Sequence, residues 1–200
     1  NLGSDFYLDE KNTLTSSILY SNSNKNYDSE FLLNDYIPVN LLIKSSSRKV
    51  DDNSDEGFLE AFFQYTTKFN KEGHQLSADI KYDNSLADNE TDILNTETFP
   101  GSELTEQKYV KDESVDNFYA KADYTLPIKD KSSLEAGVKA NFRQYSNDFS
   151  SSNLNQNTLH MDPIADFSSQ IDYNERIYAF YVNYSKQFER FSYSLGLRTE

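Results

Sequence analysis

The chain has 200 residues, no cysteine and a formal net charge of −14, with 36% hydrophobic and 14% aromatic residues. That acid excess excludes nucleic acid as a partner, because phosphate binding needs clustered Lys and Arg, and the missing thiols exclude disulfides and thiolate chemistry. The apolar share is low for a soluble core, yet 15 Tyr and 14 Phe argue against disorder and suit places where a ring is half apolar and half wet.

Four hairpins are predicted in chain order. Leu2 to Leu8 turns through Asp9 to Asn12 into Thr13 to Tyr20. Phe58 to Phe69 turns through Asn70 to His74 into Gln75 to Tyr82. In the third, Ala120, Ala122, Tyr124, Leu126 and Ile128 alternate with Lys121, Asp123 and Thr125. After Lys129-Asp130-Lys131-Ser132 the pattern resumes, with Leu134, Ala136, Val138, Ala140 and Phe142 against Glu135, Lys139, Asn141 and Arg143. The fourth runs Ile177 to Phe188, turns at Glu189-Arg190, and returns from Phe191 to Arg198. Period 2 about a short polar turn is the signature of an antiparallel hairpin.

Between the hairpins (about 1–24, 58–94, 107–150 and 166–200) lie long polar stretches, Ser21 to Asn40, Asp83 to Asp116 and Ser146 to Asn174. They are expected as loops whose inner parts, such as Asp83 to Glu90 and Lys108 to Val115, continue the ladder. No run approaches the roughly 18 apolar residues of a membrane helix. Strands of a membrane barrel hide their lipid face in alternation, so that route stays open. Short turns at one end, long polar loops at the other and apolar rows of about 8 to 11 residues fit such a barrel. Rings cluster near the short turns (Tyr7, Phe69, Tyr124, Phe188, Phe191) and again at the far ends (Tyr20, Tyr82, Phe142, Tyr178), as two girdles would.

The charged rows would line a wet interior: Glu60, Lys68, Asp79, Lys81, Lys121, Asp123, Glu135, Lys139 and Arg143. Asp79 with Lys81, Lys121 with Asp123, and Glu135 with Lys139 and Arg143 are expected as cross-strand ion pairs. A soluble β-sandwich could carry the same alternation with its charges in solvent. Small barrels keep both termini on the short-turn side, so eight strands need three short turns and four long loops. Four short turns and three long loops predict a slice of a larger barrel.

The stretches NLGSDFYLDEKNTLTSSILYSNSN, FFQYTTKFNKEGHQLSADIKYDNS, NFYAKADYTLPIKDKSSLEAGVKANFR and FSYSLGLRTE resemble the C-terminal barrel of TonB-dependent outer-membrane receptors. The likeness is greatest to the outer membrane protein beta-barrel branch found in Bacteroidota, and it spans nearly the whole chain. It implies an all-β, antiparallel up-and-down transmembrane β-barrel, of which residues 1–200 form about eight strands. It implies a location in the outer membrane of a Gram-negative cell, long loops outside and short turns in the periplasm. The implied partners are membrane lipid, an unidentified nutrient ligand, a surface lipoprotein, and TonB reached only through a plug domain that is not among these residues. The alternatives are a structural or surface-exposed barrel without transport, or a soluble secreted sandwich that binds a ligand.

No enzyme, cofactor or resident metal is expected. His74 falls in a predicted turn and His160 in a polar stretch, short of the three or four ligands that a metal needs. No Ser or Thr has a nucleophile-elbow context, and with six Gly there is no phosphate loop. Asp51, Asn53 and Asp55 alternate as in a calcium loop, but Glu56 stands where that motif has Gly and Phe62 where it has a bidentate Glu. An acidic outer loop with weak calcium affinity, or mere solvation, is what remains of that pattern.

Overall fold

The computed structural model describes residues 1–129 and 131–200, so Asp130 of the third turn lies outside the described residues. The strands are β1 (Leu2–Tyr7), β2 (Asn12–Ile37), β3 (Leu41–Lys68), β4 (Gln75–Phe99), β5 (Glu103–Pro127), β6 (Ser132–Asn155), β7 (His160–Pro163), β8 (Ser169–Gln187) and β9 (Ser192–Thr199). They form one antiparallel sheet in the order β1-β2-β3-β4-β5-β6-β8-β9, with β7 paired to β6. Chain order is spatial order, which is up-and-down topology. The sheet is not closed: β1 and β9 each have one neighbour. The four expected hairpins are β1–β2, β3–β4, β5–β6 and β8–β9.

Local chemistry sets the short turns. Asp9 Oδ1 accepts from the backbone N–H of Lys11 (2.8 Å) and Asn12 (2.9 Å), an Asx turn that closes the first hairpin. The side-chain amide of Asn12, which donates to Asp9 Oδ2 at 2.7 Å, and then those backbone bonds favour the carboxylate and hold Asp9 below its ordinary carboxyl range. In the second turn Gly73 takes φ +74°, which a side chain would strain, and Phe69 N–H reaches the His74 carbonyl at 2.8 Å. In the fourth, Phe188 N–H to the Phe191 carbonyl at 2.8 Å leaves only Glu189-Arg190 at the tip.

The far ends differ from expectation. The three polar stretches are mostly strand: β2 has 26 residues, β3 28, β4 25 and β5 25. Their connections are Pro38-Val39-Asn40, Pro100-Gly101-Ser102 and the segment around β7 and the short 3₁₀ turn Ala165–Phe167. The ladder propagates because each paired residue adds backbone bonds in a register the hairpins have already set, and this outweighs the poor strand propensity of Asp, Asn and Ser. The pattern at 51–57 is likewise within β3. Successive same-side residues of a strand lie about 6.6 Å apart, so Asp51, Asn53 and Asp55 cannot wrap one ion as loop ligands do. His160 opens β7, paired with Asn155, instead of lying in a loop.

Register assigns the faces, since directly opposed residues share a side. One face carries an apolar band: Leu14, Ile18, Phe63, Ile80, Ala120, Val138, Phe180 and Leu195 belong to it. The other carries Gln64, Asp79, Lys121, Lys139 and Ala179 in one continuous row. Burial alternates with the face. On β3, Ser54, Glu56, Phe58, Glu60, Phe62, Gln64 and Thr66 are half-buried, whereas Asp51, Asn53, Asp55, Leu59, Phe63 and Tyr65 are exposed. In a single layer, such alternation means the sheet curls around its charged face. Of the few fully buried residues, Ile93, Ser151 and Ala179 lie on that side.

Candidate functional site

The candidate site is the enclosed face, built from alternate residues of β3 to β9. All nine charged residues singled out from the sequence fall on it: Glu60, Lys68, Asp79, Lys81, Lys121, Asp123, Glu135, Lys139 and Arg143. Their pairing departs from expectation. Lys81 Nζ bridges Glu60 (3.2 Å) and Asp83 (3.0 Å) instead of Asp79, and Asp79 accepts from Gln64 Nε2 at 2.9 Å. Lys121 does pair with Asp123, but the two are neighbours on one strand. Glu135 accepts from Asn183 (3.5 Å), and Lys139 Nζ lies 5.2 Å from the centre of the Tyr119 ring. Residues two apart on a strand share a face about as closely as diagonal neighbours do, so long Lys side chains choose among several carboxylates. Among the described residues, Arg143 belongs to none of the eight ion pairs.

One cluster was invisible in the sequence. Asp123, Gly137 and Tyr181 stand in register on β5, β6 and β8. Tyr181 lies across Gly137, and its hydroxyl donates to Asp123 Oδ1. A Cβ on Gly137 would stand 2.6 Å from both Asp123 Oδ1 and Tyr181 Cζ, far inside van der Waals contact. The glycine leaves room for a ring that ties three strands together. The only sequence signal was a Gly within an otherwise regular strand row.

Farther from the short turns the same face mixes rings with carboxylates. Tyr145 OH donates to Glu113 (2.8 Å), and Lys111 pairs with Glu113 at 2.7 Å. Lys111 and then Tyr145 hold the Glu113 carboxyl below its ordinary range, and the same bond raises the Tyr145 phenol. Lys25 pairs with Glu56 at 2.7 Å, while Tyr109 stacks on Phe149 with ring centres 5.9 Å apart.

The expected girdle rings divide. Tyr20, Tyr82, Tyr124, Phe142 and Tyr178 lie on the apolar face, whereas Phe69, Phe188 and Phe191 lie in the short turns. Tyr7, opposite Thr13, sits on the enclosed face and belongs to no girdle of the apolar side. Tyr124 OH meets His74 Nε2 at 2.7 Å with Phe69 beside them, which gives His74 a structural partner in its turn. Among the described residues no group of three or more His, Asp or Glu is placed to hold a metal ion.

The arrangement can do two things physically: present a hydrocarbon-compatible surface on one side, and a wet, charge-neutralised wall on the other. Comparison with curated proteins yields no match. The model of the outer membrane protein beta-barrel family matches residues 67–200, from the end of β3 through β9, well over half of the chain. An apolar outside, a charged inside and that match together make this an outer-membrane protein, and the chain belongs to the outer membrane protein beta-barrel family.

Proposed function

We propose that these strands form part of the wall of an outer-membrane receptor that takes up a nutrient ligand by a TonB-dependent route. The apolar face meets lipid and the enclosed face lines the lumen. The short turns stand in the periplasm, and the polar extensions of β2 to β6 project outside the cell. The observation that carries this reading is the inversion of the sheet: Phe63, Ile80, Val138 and Phe180 are about half exposed, while Glu60, Asp79, Lys81, Lys121, Asp123, Glu135 and Lys139 are half-buried, with Lys68 and Arg143 exposed at the ends of their rows. A soluble sandwich would shelter its apolar faces against each other.

In this reading the protein is a conduit and not an enzyme. The enclosed charges are matched locally, as in Glu60–Lys81–Asp83 and Lys121–Asp123, which keeps the wall hydrated without fixing a strong field of one sign. A polar ligand gathered by the outer extensions would pass such a wall once a plug yields to TonB. A surface lipoprotein could share the ligand-gathering role.

A second reading is a structural, surface-exposed barrel. The continuous ladder of β2 to β6 favours it, because paired strands adapt to ligands less readily than loops do. Photo-crosslinking of the full-length protein to the periplasmic domain of TonB separates the two. Transport predicts a specific adduct, and none at any probe position would leave the structural barrel standing.

A further inference from the structure

A groove of about 340 Å³ crosses the outer edge of the apolar band over β5, β6 and β8. Its apolar side is a shelf of rings, Phe118 to Phe142 at 6.1 Å and Phe142 to Tyr178 at 5.6 Å between centres. Arg176 stands opposite Phe142 in register, and one same-face step beyond, Gln144 opposes Asn174. Three side chains with N–H donors therefore sit at the top of an apolar column that descends through Ala140 with Tyr178 and Val138 with Phe180.

Arg176 is the basic residue of the groove that stands on the apolar face; like Arg143, which reaches the groove from the other face, it is exposed and takes part in none of the eight ion pairs among the described residues. The carboxylate that lines the groove on this face, Asp116, is two strands away. Its Oδ1 is engaged toward β4 by Tyr82 OH (2.6 Å) and Asn84 Nδ2 (3.0 Å). Glu175 also borders the groove, but by register it belongs to the other face, where it accepts from Tyr173 OH at 3.1 Å and stands opposite Arg143.

A guanidinium fork flanked by two carboxamides matches the geometry of a phosphate group. The column below it has no use for a free anion and every use for a hydrocarbon chain. We propose that this groove binds the phosphorylated headgroup of a membrane lipid, with Arg176 on the phosphate and an acyl chain along Ala140, Val138 and Phe180. The inference rests on the reading that the apolar face meets lipid.

The test is native mass spectrometry of the full-length protein released from detergent. The probes are dimyristoyl phosphatidic acid and dimyristoylglycerol, which differ only in the phosphate. The intact protein is expected to retain the phosphatidic acid preferentially. Arg176→Gln should lower that occupancy about fivefold or more, Arg176→Lys should keep part of it, and Arg190→Gln at the opposite end should change nothing. Equal retention by Arg176→Gln and the unaltered protein overturns the site. Displacement of the lipid by millimolar inorganic phosphate also overturns it, because the chain would then add nothing. A spin label at Phe180→Cys decides the underlying reading separately. Contact with lipid-soluble oxygen upholds the lipid face even if the site fails, and contact with a water-soluble relaxant removes both.

Discussion

Gly137 decides how three strands meet. The ring of Tyr181 occupies the space that any side chain at 137 would need, and its hydroxyl reaches Asp123 on the strand beyond. Asp123 is thereby shared between Tyr181 and Lys121, two donors on one carboxylate in a sheltered wall. Gly137→Val should therefore cost about 1–3 kcal/mol through overpacking, and Tyr181→Phe about 1 kcal/mol through the lost hydrogen bond. If the ring is the obstacle, Gly137→Val in a Tyr181→Ala background should cost little. Urea unfolding of the protein in lipid vesicles gives all of these values. An undiminished cost in the double variant would mean that Gly137 is needed for its backbone and not for the ring. Alternation in the sequence sorted Lys121 and Asp123 onto one side without effort. It could not find Gly137, whose requirement comes from a residue on the next strand in space.

Strands of 24 to 28 residues exceed what a membrane needs, and their outer parts carry unusual pairings. Asp55, Asp88, Asp112 and Asp148 oppose one another directly across β3, β4, β5 and β6 on the face that bears the apolar band. Like charges in direct register are destabilising by a few tenths to about 1 kcal/mol. Asp88→Asn, in the middle of the row, should therefore raise the urea midpoint at low ionic strength. The gain should vanish near 1 M salt, where the screening length is about 3 Å. Glu90→Gln, one same-face step away, breaks the pair with Lys108 and should show no such gain. A salt-independent effect of Asp88→Asn would point to a packing change and not to charge. These extensions are also where the sequence was least legible. Runs such as Asp83 to Glu90 hold the Asp, Asn and Ser that favour turns, and the ladder they inherit from the hairpins outweighs that preference. The hairpins themselves were legible because alternation and turn residues agreed there. The ion-pair partners were not, because a Lys such as Lys81 faces several carboxylates at once.

At the scale of the whole sheet, the distribution of shelter is opposite to that of a soluble fold, so a solvent other than water must complete it. The band on β5 runs from Leu126 to Phe118 and pairs with Leu134 to Phe142 on β6. Nine residues at about 3.4 Å each, tilted by roughly 40°, span on the order of 20 Å, and the flanking rings bring this near the 25 Å of an outer-membrane barrel. Beyond it the ladder leaves the hydrocarbon abruptly: Asp116, Gln144 and Asn174 form the next same-face row. A band with so sharp an outer edge cannot follow a thicker bilayer except by burying that row, at a cost of fractions of a kcal/mol for each ångström of mismatch. The full-length protein should therefore fold to higher yield in vesicles with 12-carbon chains than in those with 18-carbon chains, and should aggregate in buffer alone. Strand content by circular dichroism and heat-sensitive gel mobility both report the folded fraction. Equal yields at every chain length would place the lipid boundary elsewhere than at Phe118, Phe142 and Tyr178. A monomer folded in buffer would mean that the apolar band packs against protein.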